Sequence, residues 1–275
     1  MLSALREDEL IVNTVPHRDL IAERLVLERG GVLINVSALP AASVRALRSQ
    51  AGGARGAVLM SAGLAPGVTT IAAADLLRRH PEAEELEMVF TTSSQAPRGP
   101  ARAEHLHRGL TRVPRHRTVV VRLPEPFGER LCLGFGEEDA GWLGGVAEGR
   151  LVRPYMCVLE PGVHEQLLTL NGAGALRRLS PSLIPPRRPD RARTAGLDPV
   201  AHWIAAIRGG RRLGVWTVRC RGEVVHAARS AVVFAEALLA RPPGGGCFDP
   251  EEICTLEDVR SRLIEIGVSV ASPKG

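Results

Sequence analysis

The sequence predicts an α/β protein in which a short parallel sheet is followed by a mixed α+β domain. Three apolar runs near the start, at 9–17, 31–38 and 57–62, each end in polar or small residues, and each precedes a segment with helical character. Strands that alternate with helices in this way form parallel sheets with right-handed crossovers. Because ligands bind in the crevice beyond the carboxyl ends of such strands, the residues that end these runs are candidate site residues.

The elements of this first part follow from local signals. Gly30 and Gly52 are placed to end helices, as glycine commonly does. The predicted strands cover 9–17, 32–37 and 57–61, and the predicted helices cover 18–29, 40–51 and 67–79.

The pattern changes at about residue 85, where strand-like segments no longer alternate regularly with helices. A hairpin is predicted around Arg221-Gly222, between strands at 214–221 and 223–228. The segment 93–102 is expected to be flexible. Further strands are predicted at 86–92, 118–123, 131–135 and 152–159, with helices at 163–171 and 229–240. A mixed or antiparallel sheet fits these segments.

A final helix is predicted after Thr255, with Thr255 as N-cap, Asp258 three residues later and Gly267 at the end. We expect this helix to return to the first domain. The expected domains are therefore a first part at 1–84, a mixed-sheet domain at 85–240 and a C-terminal helical segment at 241–275.

Composition excludes several classes of protein. The chain has 275 residues, of which 45% are hydrophobic and 24% charged, as in a globular protein. No apolar run reaches the roughly 18 residues of a membrane helix, and the acidic start is unlike a secretory signal, so a cytoplasmic protein without membrane association is expected. Scattered arginines and 3% aromatic residues do not favour nucleic-acid binding. Lys274 is the single lysine, which excludes Schiff-base chemistry elsewhere in the chain.

The five cysteines show neither C-x-x-C spacing nor an even count. Neither a disulfide framework nor a zinc site is therefore predicted, and no metal site is expected. Buried reduced thiols are the expectation for most of them, whereas Cys247, which follows three glycines, is a candidate for exposure.

The ordered strand ends, the turn Gly63-Leu64-Ala65-Pro66-Gly67 and the terminal Asp-Pro-Glu-Glu helix together resemble the saccharopine dehydrogenase-like oxidoreductases. The resemblance implies a partial Rossmann-like domain, a mixed-sheet second domain, and hydride transfer between NAD or NADP and a small-molecule substrate. It also implies cofactor-binding residues at the strand ends and in the turn: Asn13, Thr14, Val15, Pro16, Ser37, Ala38, Gly63, Pro66 and Gly67.

One part of the family pattern has no counterpart. The first strand, the glycine-rich pyrophosphate loop and the ribose-recognition strand are not found, and these normally anchor the dinucleotide. NAD or NADP is therefore expected to bind weakly or not at all without that loop. The strand at 9–16 would lose a neighbour, and an exposed hydrophobic edge favours either pairing with another chain or poor solubility. Of the two, pairing as a homodimer is expected.

Catalytic candidates are fewer. His17 follows the first strand and could be a proton donor, although a polar loop residue that starts a helix is the preferred interpretation. The basic segment 104–117 contributes Arg108 and His116, which could bind carboxylates of a substrate or simply form a solvated connection.

Three functions stay open at this stage. The first is a saccharopine dehydrogenase-like oxidoreductase acting on a C–N or imine/carbonyl centre, which is expected to be incomplete as encoded. The second is a non-catalytic, cofactor-free binding or dimerisation protein derived from that family. The third is a small-molecule-binding protein or transferase that uses the same crevice without a dinucleotide.

Overall fold

The computed structural model describes residues 9–15, 19–37, 39, 41–113, 116–136, 146–147, 149–185 and 198–272. The chain divides into two compact units. The first unit comprises 1–75, 141–148 and 225–268, and the second comprises 76–140, 149–224 and 269–275.

The first unit is built on a parallel sheet of four described strands. These are β1 (Leu10–Asn13), β2 (Val32–Asn35), β3 (Ala57–Leu59) and β10 (Gly246–Phe248), and their spatial order is β1-β2-β3-β10. All three strand pairs are parallel, so the carboxyl ends of the strands meet at one edge. The predicted parallel sheet is therefore confirmed, and β10 is an addition that the sequence did not predict.

Helices follow the first three strands as predicted. They are α1 (Ile21–Arg29), α2 (Ala41–Gln50) and α3 (Val68–Arg79). Helix α1 buries Val26 and Leu27, and these side chains pack with Leu33, Leu47 and other apolar side chains in one core. Glu23 lies on this same buried face of α1 and is fully buried. Burial of a charged side chain is costly unless it is hydrogen-bonded, so its partners matter for the site described below.

The C-terminal part of the first unit contains α7 (Pro250–Ile253), α8 (Leu256–Glu265) and most of α6 (Glu223–Ala240). The predicted cap of α8 is confirmed. The Asp258 backbone N–H donates to Thr255 Oγ1 at 3.3 Å, and the Thr255 N–H donates to Asp258 Oδ2 at 2.8 Å. Since α8 lies in the unit with the parallel sheet, the expected return to the first domain is also confirmed.

The second unit contains a seven-stranded mixed sheet in the order β11-β9-β8-β4-β7-β6-β5. Only β4 and β7 are parallel, and the other neighbours are antiparallel. The strands are β4 (Glu85–Thr92), β5 (Thr118–Leu123), β6 (Gly128–Gly134), β7 (Leu151–Val158), β8 (Pro199–Arg208), β9 (Arg211–Arg221) and β11 (Ser269–Ala271). The helices are α4 (Pro100–Thr111) and α5 (Pro161–Gly172). This confirms the mixed α+β part of the predicted fold.

Two local predictions are wrong. The segment 223–228 is not a strand but the start of α6, and β9 forms its hairpin with β8 across Gly209-Gly210 instead. Val224 and Val225 are exposed, and their β-branched side chains led to the prediction of a strand. The buried side chains of α6 repeat instead at helical spacing, as His226, Ser230 and Phe234 do.

The expected flexible segment 93–102 is also more ordered than predicted, because α4 begins at Pro100. Proline at the first position of a helix is favourable, since its missing N–H would have no partner there. Ser93 is held as well, because its hydroxyl donates to Glu160 Oε1 at 2.6 Å.

All five cysteines lie in the described part of the chain, and all are buried free thiols. The expected exposure of Cys247 is therefore wrong. Cys247 is the central residue of β10, where it packs in the core of the first unit. The three glycines before it lead into a buried strand rather than an exposed loop.

Candidate functional site

The first feature of the candidate site is a buried carboxylate beneath the ends of β1 and β2. Glu23 Oε1 accepts hydrogen bonds from Asn13 Nδ2 at 2.8 Å and from Asn35 Nδ2 at 2.6 Å. One acidic side chain on α1 therefore ties together the last residues of two neighbouring strands. Glu23 Oε2 is buried and has no hydrogen-bond partner among the described residues.

The same two asparagines also shape the chain beyond the strands. The Val15 N–H donates to Asn13 Oδ1 at 3.0 Å, and the Ser37 N–H donates to Asn35 Oδ1 at 2.7 Å. Each asparagine thus closes an Asx turn with its oxygen while its amide group binds Glu23. Their side chains position the strand ends, so any contact of Asn13 with a cofactor is left to its backbone or to a rearrangement.

The turn at 63–67 joins β3 to α3 and is closed on itself. The Gly63 N–H donates to the Pro66 carbonyl at 3.0 Å, and the Val68 N–H donates to the Gly63 carbonyl at 3.1 Å. Gly67 has a φ of 127°, and a Cβ at this position would lie 2.0 Å from the Gly63 carbonyl oxygen. Only glycine fits there, whatever ligand the turn meets.

The N-terminus of α3 is anchored to this turn. The Gly67 carbonyl accepts from the Thr70 N–H at 3.1 Å and from Thr70 Oγ1 at 2.8 Å. Thr70 is fully buried. The conformation of the turn is therefore coupled to the side chain of Thr70.

An acidic group follows β10 at the same edge of the sheet. Asp249 Oδ2 pairs with Arg48 Nη2 at 2.7 Å, and Glu252 Oε2 pairs with the same nitrogen at 2.5 Å. Burial raises the pKa of Asp249 to about 6, against the opposing effect of Arg48. Asp249 Oδ1 is buried without a hydrogen-bond partner among the described residues.

Glu251, on α7, is the second unusual acid. Burial raises its pKa to about 7, with a further contribution from the charge of Asp249. Both of its carboxyl oxygens are buried, and neither has a hydrogen-bond partner among the described residues. The edge therefore carries several carboxyl oxygens that are available to accept hydrogen bonds.

The second unit contains a separate buried polar residue, His202 on β8. The Thr91 N–H donates to His202 Nδ1 at 3.3 Å, which places the proton of the neutral ring on Nε2. His202 Nε2 is buried and lacks a hydrogen-bond partner among the described residues. Burial lowers the pKa of His202 to about 4.

The sequence-predicted residues are distributed over both units. Thr14 and Val15 are exposed beyond β1, Ser37 is half-buried beyond β2, and the turn contains Gly63, Pro66 and Gly67. His17, Pro16 and Ala38 lie outside the described residues. In the second unit, Arg108 is half-buried on α4, and His116 is exposed in a left-handed turn before β5 with a φ of 62°.

Sequence reasoning missed Glu23, Arg48, Glu251 and His202 as parts of polar clusters. A signal existed for Glu23, since it lies three and four residues before Val26 and Leu27 on the buried face of α1. The charged pairing of Arg48 with Asp249 joins residues 201 positions apart, and nothing local predicts it.

The α/β fold of the chain is similar to the folds of two solved structures. The fold matches the homospermidine synthase hss from Legionella pneumophila, solved in complex with NAD, with a TM-score of 0.63 and 11% identity over 99% of this chain and 77% of that chain. It also matches apo saccharopine dehydrogenase (L-Glu forming) from Saccharomyces cerevisiae, with a TM-score of 0.55 and 9% identity over 96% of this chain and 85% of that chain.

Sequence comparison adds no relative. No protein-family model and no curated protein matches the chain. Within the described residues, no helix combines the length and apolar character that crossing a bilayer requires.

Proposed function

We propose that this chain is an oxidoreductase that transfers a hydride between a nicotinamide cofactor and a C–N or imine/carbonyl centre of a small molecule. The observation that carries this proposal is the closed turn at 63–67, at the carboxyl edge of a parallel sheet, in a chain whose fold matches an NAD complex over 99% of its length. This edge is where open α/β sheets bind their ligands.

The polar groups of this edge fit one half of a dinucleotide. Glu23 Oε2, Asp249 Oδ1 and the Glu251 carboxyl are acceptors without partners among the described residues, which suits the amide and hydroxyl donors of a nicotinamide riboside. A pyrophosphate requires donors and positive charge instead, and Arg48 is already engaged by two carboxylates. We therefore place the nicotinamide half beside the turn and propose weak overall binding of NAD or NADP.

When bound, the nicotinamide ring supplies or accepts the hydride. In this proposal the chain orients that ring with the turn Gly63, Pro66 and Gly67 and with the backbone of Asn13 to Pro16 and Ser37 to Ala38. His17 would hold the proton that accompanies the hydride, and Arg108 and His116 would bind acidic groups of the substrate.

The test is a fluorescence titration of the purified chain with NADH and NADPH. Gly63→Ala is the informative variant, because its Cβ would lie 3.2 Å from the Pro66 carbonyl and 3.3 Å from the Val36 side chain, a tight but limited intrusion. We expect saturable binding to the wild type and a loss of affinity of about tenfold or more in the variant.

Gly52→Ala is the matched control, since nothing lies within 4 Å of the added Cβ. Thermal unfolding of all three proteins checks that the variants remain folded. Absence of binding to the wild type at millimolar cofactor would overturn the proposed function. Equal binding by Gly63→Ala and wild type would remove the turn from the site.

A second candidate function is a cofactor-free binding or dimerisation protein. The observation that favours it is the outer side of β1, which pairs with β2 alone among the described strands and exposes Leu10 and Val12. Exposed strand edges pair readily with other chains. The titration separates the two candidates, because only the oxidoreductase requires a nicotinamide cofactor.

A further inference from the structure

The mixed sheet of the second unit curls around a cavity. Four strands separate β9 from β5 in the order of this sheet. A flat sheet would hold β9 and β5 about 24 Å apart at the usual spacing between neighbouring strands. Nevertheless, Arg212 Nη2 on β9 donates to the Val120 carbonyl on β5 at 3.1 Å. The sheet therefore curls until these two strands approach each other, and its inner face is enclosed.

The cavity on this inner face has a volume of about 550 Å³ and lies entirely within the second unit. This volume is within the range of pockets that hold small organic molecules. Val89 lies on the same face of β4 as Glu85 and Glu87, and it belongs to the apolar core of the sheet. The two glutamates therefore face the inside of the curl. The residues that line the cavity are Glu85, Glu87, Val119, Arg153, Ile207, Gly210 and Arg212.

Glu87 is the carboxylate of this cavity that lacks a partner from its neighbouring strand. In the register of β4 and β7 it lies opposite Arg153. Arg153 Nε instead lies 2.5 Å from Glu85 Oε1, an ion pair without the alignment of a hydrogen bond. Among the described residues, none donates a hydrogen bond to the Glu87 carboxyl. Its oxygens are therefore available to a donor that enters the cavity.

Arg212 is the cation of the cavity whose position is fixed by two contacts. Its guanidinium lies over the ring of Trp203, 5.0 Å from the ring centroid, and one of its nitrogens binds the Val120 carbonyl. A guanidinium has five N–H donors, so this side chain retains donors for a carboxylate. Because the two contacts already hold the guanidinium, a ligand would not have to immobilise it.

We propose that this cavity binds a small zwitterion with an apolar side chain, of the chemical class of the hydrophobic α-amino acids. The ammonium group of the ligand donates to Glu87, and its carboxylate accepts from Arg212. Its apolar part contacts Val119 and Ile207. Two glutamates in the wall disfavour a ligand that is only an anion, and two arginines disfavour one that is only a cation. A zwitterion instead presents each of its charges to a group of opposite charge.

The electrostatics of Glu87 agree with a bound ammonium group. Burial raises the pKa of Glu87 above its ordinary value, and the negative charge of Glu85 raises it further. The positive charges of Arg212, Arg153 and Arg117 oppose this rise without cancelling it. The ionised carboxylate is therefore incompletely compensated by the chain, and a cationic group of a ligand would stabilise it.

The test is isothermal titration calorimetry of the purified chain with L-leucine and two analogues. Isopentylamine is L-leucine without the carboxylate, and isocaproate is L-leucine without the ammonium group. We expect saturable binding of L-leucine and binding of either analogue that is weaker by about tenfold or more, because each analogue loses one hydrogen bond between charged groups.

Two variants assign the charges of the ligand to side chains. Glu87→Gln should lower the affinity for L-leucine by about tenfold, so that L-leucine binds no better than isocaproate. Arg212→Gln should lower it similarly, so that L-leucine binds no better than isopentylamine. Arg212 is exposed, so its variant provides the test even if Glu87→Gln fails to fold.

Glu129→Gln is the control, since Glu129 is exposed on β6 of the same sheet and does not line the cavity. Thermal unfolding shows whether each variant is folded. Three results would overturn the proposal: no binding of L-leucine at about 10 mM, binding of either analogue as tight as that of L-leucine, or unchanged L-leucine affinity in folded Glu87→Gln or Arg212→Gln. The experiment contains no nicotinamide, and the turn at 63–67 belongs to the first unit, so neither result bears on the proposed function.

Discussion

His202 is a buried residue of which one ring nitrogen is hydrogen-bonded and the other is not, and this affects the stability of the protein. Its Nδ1 accepts from Thr91, while Nε2 has no partner among the described residues. Since burial favours the neutral ring, the pKa of His202 in the folded state lies at about 4, below the ordinary value of about 6.5. In acid, His202 therefore binds a proton in the unfolded chain before it does so in the folded protein, and this lowers the free energy of unfolding.

We predict that His202 makes the protein sensitive to acid. Above about pH 6.5 both states are neutral and the full stability is present, whereas between pH 6.5 and 4 only the unfolded state binds the proton. By linkage the loss should reach about 2 kcal/mol at pH 5. The measurement is the free energy of unfolding by urea at pH 7 and pH 5 for the wild type and for His202→Asn, which keeps an acceptor for Thr91 and does not titrate.

The exposed His116 provides the comparison, and His116→Asn should behave as the wild type does at both pH values. If His202→Asn loses as much stability between pH 7 and pH 5 as the wild type, another group is responsible for the acid sensitivity.

At the scale of elements, α8 offers a cap that was predicted and confirmed. Thr255 and Asp258 bind each other's backbone N–H groups, so two otherwise unpaired donors are satisfied. Thr255→Ala should destabilise the protein by about 1 kcal/mol. Thermal or urea unfolding measures this loss. Thr255→Ser, which keeps the hydroxyl, should retain most of the stability, and a loss as large as that of alanine would show that the methyl group matters instead.

The elements that could be predicted are those whose signals are local. Strands β2 and β3 and helix α8 follow from apolar runs, glycine stops and capping residues. Strand β10 is three residues long, and it pairs with β3, which lies nearly 190 positions earlier in the sequence. No local sequence pattern predicts a pairing over that separation. The start of α6 was missed because Val224 and Val225 have strand preference and are exposed on a helix.

The candidate site follows the same division. The turn at 63–67 was found because a glycine-proline turn after a buried strand is a local pattern. Glu23 and Glu251 were missed, since a glutamate in the sequence does not show whether its carboxyl will be buried. The domain limits at residues 84 and 240 and the catalytic roles of His17, Arg108 and His116 stay predictions.

At the scale of the whole molecule, the outer side of β1 is the feature that bears on assembly. The carbonyl groups of Glu9 and Asn13 accept hydrogen bonds from the N–H groups of Val32 and Val36. Because backbone groups alternate in direction along a strand, the N–H groups of Leu10 and Val12 point away from β2. Two copies related by a twofold axis could pair these groups as antiparallel strands. The expected homodimer would then have one continuous sheet.

Val12→Pro tests this arrangement, because it removes an outward N–H and leaves the bonds to β2 in place. We expect the wild type to have the mass of two chains by light scattering and the variant to have the mass of one. Val12→Thr keeps the N–H and should remain a dimer. A wild type with the mass of a single chain would reject the homodimer, whereas a dimeric Val12→Pro would place the interface elsewhere, because proline cannot donate the hydrogen bond on which β1 pairing depends.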